Sequence, residues 1–126
     1  MRGVNSVIGL AALLLVMLVA GPTARAQQST ERFIPIGFSP GVSNVSSYIG
    51  AVTAVDDSAQ TFSLQADGET RTLRVSAETL IWLDRSKVRK TNIDAGFADI
   101  QPGRVIEVRY DAENPQMAVW VKIQSS

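Results

Sequence analysis

The stretch QTFSLQADGETRTLRVS, residues 60–76, decides the fold of this chain. Apolar and polar residues alternate in each half, which is the period-two pattern of half-buried β-strands. The halves are separated by Asp67-Gly68, a pair that favours a type I′ turn because both central residues of that turn need positive φ. The sequence therefore predicts a tight β-hairpin whose inward-facing residues are Phe62, Leu64, Leu73 and Val75.

Strand patterns continue on both sides of this hairpin, and no long helical period interrupts them from residue 27 onward. Residues 84–100 are charged and aperiodic, so they predict a long insertion with one helical or 3₁₀ turn at 97–100. Five or six strands in residues 48–124 predict an all-β fold, a small antiparallel OB-like barrel, since closure removes exposed strand edges. Besides the hairpin, the predicted strands are residues 48–55, 79–83, 104–110 and 117–124.

The N-terminal segment, residues 1–26, has the pattern of a secretory signal peptide. A positive charge precedes an almost entirely apolar run, and Ala24 and Ala26 fit the small-residue pattern before a cleavage site. The run is shorter than the ~20 apolar residues of a spanning helix, so cleavage before Gln27 is favoured over an uncleaved anchor. We therefore expect a periplasmic or secreted protein with no stable membrane insertion after cleavage.

Residues 27–47 predict an irregular arm or linker before the barrel. They are rich in Ser, Gly, Pro and Gln, and their Pro and Gly residues break regular structure. Their apolar residues are too numerous for a simple linker, namely Phe33, Ile34, Ile36 and Phe38. Two alternatives stay open from the sequence: an extended arm across the barrel, or a disordered N-terminus.

Composition excludes several classes of function. The chain has no cysteine and no histidine, which removes disulfides, zinc sites built from these residues, and triads that need either of them. Signal cleavage would lower the Lys and Arg count from 12 to 10 while the Asp and Glu count stays at 12, leaving a net charge of about −2. This balance gives no global attraction to nucleic acid, so we expect no nucleic-acid partner. We also expect no cofactor and no metal.

Three motifs resemble those of a bacterial family of secreted small β-barrels of unknown function. They are Gly50-Ala51-Val52-Thr53-Ala54-Val55-Asp56, Thr61-Phe62-Ser63-Leu64, and ADIQPGRVIEV at residues 98–108. Residues 82–87 resemble a variant of the family's middle segment, and the similarity covers residues 48–123. The resemblance implies a small barrel and an exported location. It implies no catalytic residues.

One basic cluster stands out within the predicted insertion, and it consists of Arg85, Lys87, Arg89 and Lys90. Four cations between two barrel strands predict an anion-binding loop at one rim, with Trp82 as a neighbouring aromatic contact. The alternative is a solvated loop whose charges are balanced by Asp84, Asp94 and Asp99.

Other patterns indicate less about function. Four aromatic residues are the candidates for an aromatic binding face: Trp82, Trp120, Tyr48 and Tyr110. Their apolar neighbours favour packing in the core instead. The acidic residues lack the spacing of a calcium loop and stand mostly at turns, where local hydrogen bonds favour them: Asp56, Asp57, Asp94, Asp99, Asp111 and Glu113.

Catalysis would need a serine–lysine dyad such as Ser86 with Lys87 or Lys90, but neighbours in sequence rarely point together. We therefore expect a non-catalytic, exported β-barrel module that binds or scaffolds an unknown envelope protein. The alternative function is binding of an anionic ligand or polymer through residues 85–90.

Overall fold

The structure is a computed structural model that describes residues 30–126. The predicted signal peptide and its cleavage site at Ala24, Ala26 and Gln27 lie outside the described residues. Contacts divide the chain into two units, Met1–Glu31 and Arg32–Ser126, and all strands of the described part belong to the second. These strands are β1 Ser47–Asp56, β2 Thr61–Ala66, β3 Glu69–Arg74, β4 Leu80–Asp84, β5 Ile93–Asp94, β6 Val105–Tyr110 and β7 Ala118–Gln124.

The seven strands form one sheet in the order β3-β2-β1-β6-β7-β4-β5. The prediction of an all-β, small barrel-like fold is confirmed, and six of the strands were predicted from the sequence. The seventh, β5, is a two-residue strand that pairs with β4, and it is too short to leave an alternating pattern in the sequence.

Two details of the sheet differ from a closed antiparallel barrel. Strands β4 and β7 pair in parallel, because the chain from residue 85 to 117 crosses over through β5 and β6 before it returns. Within residues 30–126, the ladder does not close: a single parallel bridge, Arg74 to Met117, connects the end of β3 to the residue before β7.

Local conformation follows the sequence closely at the turns. Asp67 and Gly68 have φ values of 54° and 76°, which confirms the type I′ hairpin turn. The predicted single turn in the insertion is a 3₁₀ turn at Phe97–Asp99. Gly50 lies in β1 against β2, and a side chain there would collide with the carbonyl oxygen of Gln65. Glycine is therefore required for the close approach of these two strands.

The apolar core lies on one face of the curved sheet. Its fully buried members on strands come from β2, β3, β6 and β7, and they are Phe62, Leu64, Leu73, Ile106, Val108, Val121 and Ile123. The opposite face of β4, β6 and β7 is covered by residues 32–46, which we call the arm. The arm thus takes the ordered alternative left open by the sequence, and hydrogen bonds from Ile36 N to Asp84 and from Gly37 N to Glu107 hold it to the sheet.

Candidate anion-binding loop

Residues 85–90, here called the basic loop, directly follow β4 and contain a 3₁₀ turn at Ser86–Val88. Main-chain hydrogen bonds brace the loop, from Val88 N and Lys90 N to the carbonyl oxygen of Arg85. The amide of Asn92 accepts from Arg85 N at 2.6 Å, which closes the base of the loop. The loop is therefore a rigid support for the side chains that it carries.

Three of the four predicted cations point into solvent. Lys87, Arg89 and Lys90 are exposed, whereas Arg85 is half-buried and donates from Nε to the carbonyl oxygen of Thr91 at 2.7 Å. Arg89 adopts a left-handed conformation with φ 58°, which ends the 3₁₀ turn. The structure therefore leaves Lys87, Arg89 and Lys90 as the exposed cations of the loop, and it gives Arg85 a bracing role.

The three carboxylates that would balance these cations interact with other groups. Asp84 accepts hydrogen bonds from Ile36 N and Ser86 N, both at 2.9 Å. Asp94 forms an ion pair with Arg32 at 3.1 Å, and Asp99 accepts from Gly96 N. Among residues 30–126, no carboxylate forms an ion pair with Lys87, Arg89 or Lys90. The three exposed cations of the loop therefore form no ion pair within the described chain, although the charged Asp84 immediately precedes the loop.

The electrostatics of Asp84 fit a role in positioning the loop. Burial by itself raises the pKa of Asp84, but hydrogen bonds donated by Ser86, Ile36 and Asn92 outweigh it. The pKa of Asp84 therefore lies below its ordinary value, and the carboxylate is charged at neutral pH. In that state it connects the arm, β4 and the start of the basic loop.

Trp82, the predicted aromatic contact of the basic loop, is buried in the strand that precedes the loop. Trp82 is only 4% exposed, and its ring packs against that of Trp120 with centroids 5.9 Å apart. Alternation along β4 points Ile81 into the apolar core and Trp82 to the arm-facing side. Tyr48 and Tyr110 stack on each other at 4.7 Å, so the four aromatic residues form two separate pairs.

A buried polar layer lies between the arm and the sheet, and the sequence did not predict it. Glu107 and Lys122 occupy paired positions on β6 and β7, and both are fully buried. Glu107 accepts from Gly37 N, Ser43 Oγ and Ser47 Oγ at 2.7–2.9 Å. Alternation places both residues opposite the apolar core, but it does not reveal that a further segment covers that face.

This layer also contains a serine–lysine contact, which involves other residues than the pair considered from the sequence. Lys122 Nζ donates to Ser39 Oγ at 2.9 Å, and Ser39, a residue of the arm, is 3% exposed. Ser86, the serine considered for a dyad and disfavoured from the sequence, lies in the basic loop, where its N–H donates to Asp84. The Ser39–Lys122 contact joins the arm to β7 and is closed to solvent.

The acidic residues of turns make the local hydrogen bonds expected of them. Asp56 accepts from Ser58 Oγ and Ala59 N, and these bonds lower the pKa of Asp56. Asp111 accepts from Glu113 N in the turn before β7. Within residues 30–126, no group of three acidic residues is arranged to hold a metal ion.

Comparisons with known proteins provide a fold likeness and little else. No protein-family model matches the chain. No curated protein matches it. Among solved structures, silver-bound CusF is 13% identical with a TM-score of 0.43, and the match covers 61% of this chain and 93% of CusF. A copper-bound CusF variant from Escherichia coli is 12% identical with a TM-score of 0.44, and the match covers 63% of this chain and 90% of that one.

The described part of the chain holds no helix with the length and apolar character needed to cross a bilayer.

Proposed function

We propose that this chain is an exported, non-catalytic β-barrel module of the cell envelope, and that its basic loop binds an anionic ligand. The observation that carries the proposal is the set of three exposed cations, Lys87, Arg89 and Lys90, on a braced loop, which form no ion pair within residues 30–126. A phosphorylated or sulfated glycan, a lipid headgroup and an acidic protein patch all match this charge.

Rigidity of the loop supports binding over simple solvation. Cations on a loop held by main-chain bonds lose less conformational freedom when a ligand arrives. An exposed charge adds little to folding stability, so its removal leaves the fold intact. The expected signature is therefore a loss of binding without a loss of stability.

The test compares two double variants that remove the same net charge. Lys87→Gln with Lys90→Gln alters the exposed loop, and Arg104→Gln with Arg109→Gln alters two half-buried arginines outside it. Heparin and inorganic polyphosphate are the anionic probes, and the salt concentration that elutes the protein is the measurement. Two exposed ion pairs contribute about 0.2–1 kcal/mol each, so we expect several-fold weaker binding of the loop variant, with elution at lower salt.

The control variant separates a specific loop effect from a net-charge effect. We expect the control to elute with the wild type and both variants to melt within a few degrees of it. Equal elution of the two double variants, or of the loop variant and the wild type, would leave the loop as a solvated surface. The chain would then retain only a scaffolding role.

A further inference from the structure

The open seam of the sheet lies between β3 and residues 114–117, and two adjoining clefts occupy it. One has a volume of about 250 Å³ and the other about 200 Å³, and Thr72, Leu73 and Gln116 belong to the walls of both. Consecutive residues of β3 line the clefts, although their side chains alternate between the two faces of the strand. The clefts therefore run along the edge of β3 and not over one face of the sheet.

The hairpin register determines which main-chain groups of β3 face this seam. Ala66 of β2 and Glu69 of β3 flank the two-residue turn, so their main chains hydrogen-bond each other. Every second residue of β3 does the same, so Arg71 and Leu73 also hydrogen-bond β2 through their main chains. The main-chain groups of Thr70, Thr72 and Arg74 then point away from β2. The bond from Arg74 N to the carbonyl oxygen of Gln116 at 2.7 Å agrees with this direction.

The seam is closed at Arg74 and open beyond it. Within residues 30–126, no protein group hydrogen-bonds the outward main-chain groups of Thr70 or Thr72. From Thr70 to Thr72 an extended strand covers about 7 Å, which matches about two residues of a second strand. Free N–H and C=O groups at this spacing are the template for strand addition.

The charged residues around the clefts indicate which kind of ligand they would bind. Arg74 is exposed and forms no ion pair within the described chain, and the facing wall at residues 114–117 carries no charge. Arg71 is already engaged, with Glu69 at 2.8 Å and with the ring of Tyr48 at 4.9 Å. Arg74 is thus the cation available to a ligand in the cleft, and an acidic side chain complements it.

We propose that this seam binds an extended peptide segment of a partner protein, with an acidic residue beside Arg74 and main-chain hydrogen bonds to Thr70 and Thr72. This site is distinct from the basic loop, because the bridge from Arg74 to Met117 lies before the start of β7, whereas the basic loop follows the end of β4, and these two strands run parallel. An oligosaccharide is the competing occupant, because Tyr48 lines the cleft, but it would leave the strand-spaced main-chain groups unused.

The first test uses a capped peptide of alternating valine and glutamate and two N-methylated forms of it, one for each edge of the strand. Amide-resolved NMR follows Thr70, Thr72 and residues 114–117 of the full domain. We expect the parent peptide to shift these signals and one N-methylated form to bind at least tenfold more weakly, while the other binds like the parent. Equal binding of all three peptides would overturn the proposal.

The second test uses protein variants. Thr72→Pro removes the outward N–H at an edge position, where proline is tolerated. Thr72→Val is its matched control, because it loses the same hydroxyl contact with Ser63 but retains the N–H. We expect at least tenfold weaker peptide binding for Thr72→Pro and unchanged binding for Thr72→Val. If Thr72→Pro fails to fold, the N-methylated peptides decide the question by themselves.

The remaining outcomes also overturn the proposal. One is the absence of shifts at Thr70 and Thr72 with millimolar parent peptide. The other is a shift of Tyr48 and Met117 by chito- or glucan oligosaccharides in the absence of any peptide effect, which would assign the clefts to a glycan. Arg74→Gln tests the acidic preference, and we expect it to weaken the glutamate-containing peptide but not a glutamine-substituted one.

Discussion

Asp84 shows how a single carboxylate connects three segments of this chain. It ends β4, accepts from Ile36 N of the arm, and accepts from Ser86 N at the start of the basic loop. Its pKa lies below the ordinary value because hydrogen bonds from these segments outweigh the effect of burial. The charged form is therefore the one that the folded chain stabilises.

This arrangement predicts a pH-dependent contribution to stability. Since the folded pKa of Asp84 lies below the unfolded one of about 3.9, its contribution is complete above that value and disappears as the pH falls through the folded pKa. We expect Asp84→Asn to cost about 1–3 kcal/mol at pH 7, and the gap from the wild type to narrow below about pH 4. Denaturant titrations across this range measure it.

The control for that prediction is Asp57→Asn, at an exposed position in the turn after β1. We expect its stability to follow the wild type within about 0.5 kcal/mol. A gap for Asp84→Asn that is the same at pH 7 and pH 3 would contradict the role assigned to this carboxylate.

Gly50 provides a second residue-scale prediction. A methyl group at Gly50 would meet the carbonyl oxygen of Gln65 in the paired strand, whereas one at Gly96, with an extended φ of −128°, would meet no atom within 4 Å. We expect Gly50→Ala to lose about 1–3 kcal/mol through overpacking, which lowers the melting temperature by about 4–8 °C for each kcal/mol.

Gly96→Ala is the matched control for Gly50, and it should melt close to the wild type. Similar melting temperatures for the two alanine variants would show that β1 and β2 do not approach as closely at Gly50 as the structure has them.

At the scale of elements, the arm acts as an additional layer and not as a linker. Glu107 of β6 accepts three hydrogen bonds, and two of their donors, Gly37 and Ser43, belong to the arm. Lys122 of β7 adds a bond to Ser39, another residue of the arm. The outer face of β6 and β7 is thus buried through polar contacts, which the arm completes.

We expect Glu107→Gln to weaken the docking of the arm. The amide retains one acceptor and places an NH₂ group against donors, so hydrogen bonds to a charged group worth about 1.5–3 kcal/mol are lost. Limited trypsin digestion at Arg32 is the measurement, and the variant should be cleaved faster than the wild type. Glu113→Gln, in an exposed turn, is the control and should be cleaved at the wild-type rate. Equal rates for both variants would contradict the bracing role of Glu107.

Sequence reasoning succeeded for elements whose signal is local. The Asp67-Gly68 turn and the alternation around Phe62 and Leu73 predicted the hairpin because turn chemistry and period two act over a few residues. Alternation also placed Glu107 and Lys122 on the face opposite the core. Their burial, however, depends on the arm, whose contacting residues are 70 positions from Glu107 and 83 positions from Lys122 in the chain. Alternation cannot report such a contact.

The same distinction applies to the candidate sites. The basic cluster at residues 85–90 can be recognised in the sequence because its charged residues lie close together along the chain. The sequence does not show that these cations form no ion pair, because that depends on the contacts of Asp84 and Asp94 with the arm. The seam beside β3 left no sequence signal, because an open ladder results from pairing across the whole sheet.

At the scale of the whole molecule, the described chain has two buried layers on the two faces of one sheet. The apolar core lies on one face, and a polar layer with Trp82 and Trp120 lies on the other, facing the arm. The chain has two tryptophans, so tryptophan emission reports on the arm-facing layer alone, whereas far-UV circular dichroism reports on the sheet. Two spectroscopic probes can therefore follow the two layers separately.

We expect these probes to give one coincident transition in denaturant for the wild type. Glu107 and Lys122 are fully buried in the folded chain. If the arm detached while the sheet stayed folded, Glu107 would lose its hydrogen bonds from Gly37 and Ser43, and this loss makes a detached arm unfavourable. The arm and the sheet should thus unfold as a single cooperative unit. In Glu107→Gln the emission transition should occur at lower denaturant than the dichroism transition, since the arm has lost its main acceptor. An emission transition that precedes the dichroism transition already in the wild type would show that the arm is a separately detachable segment.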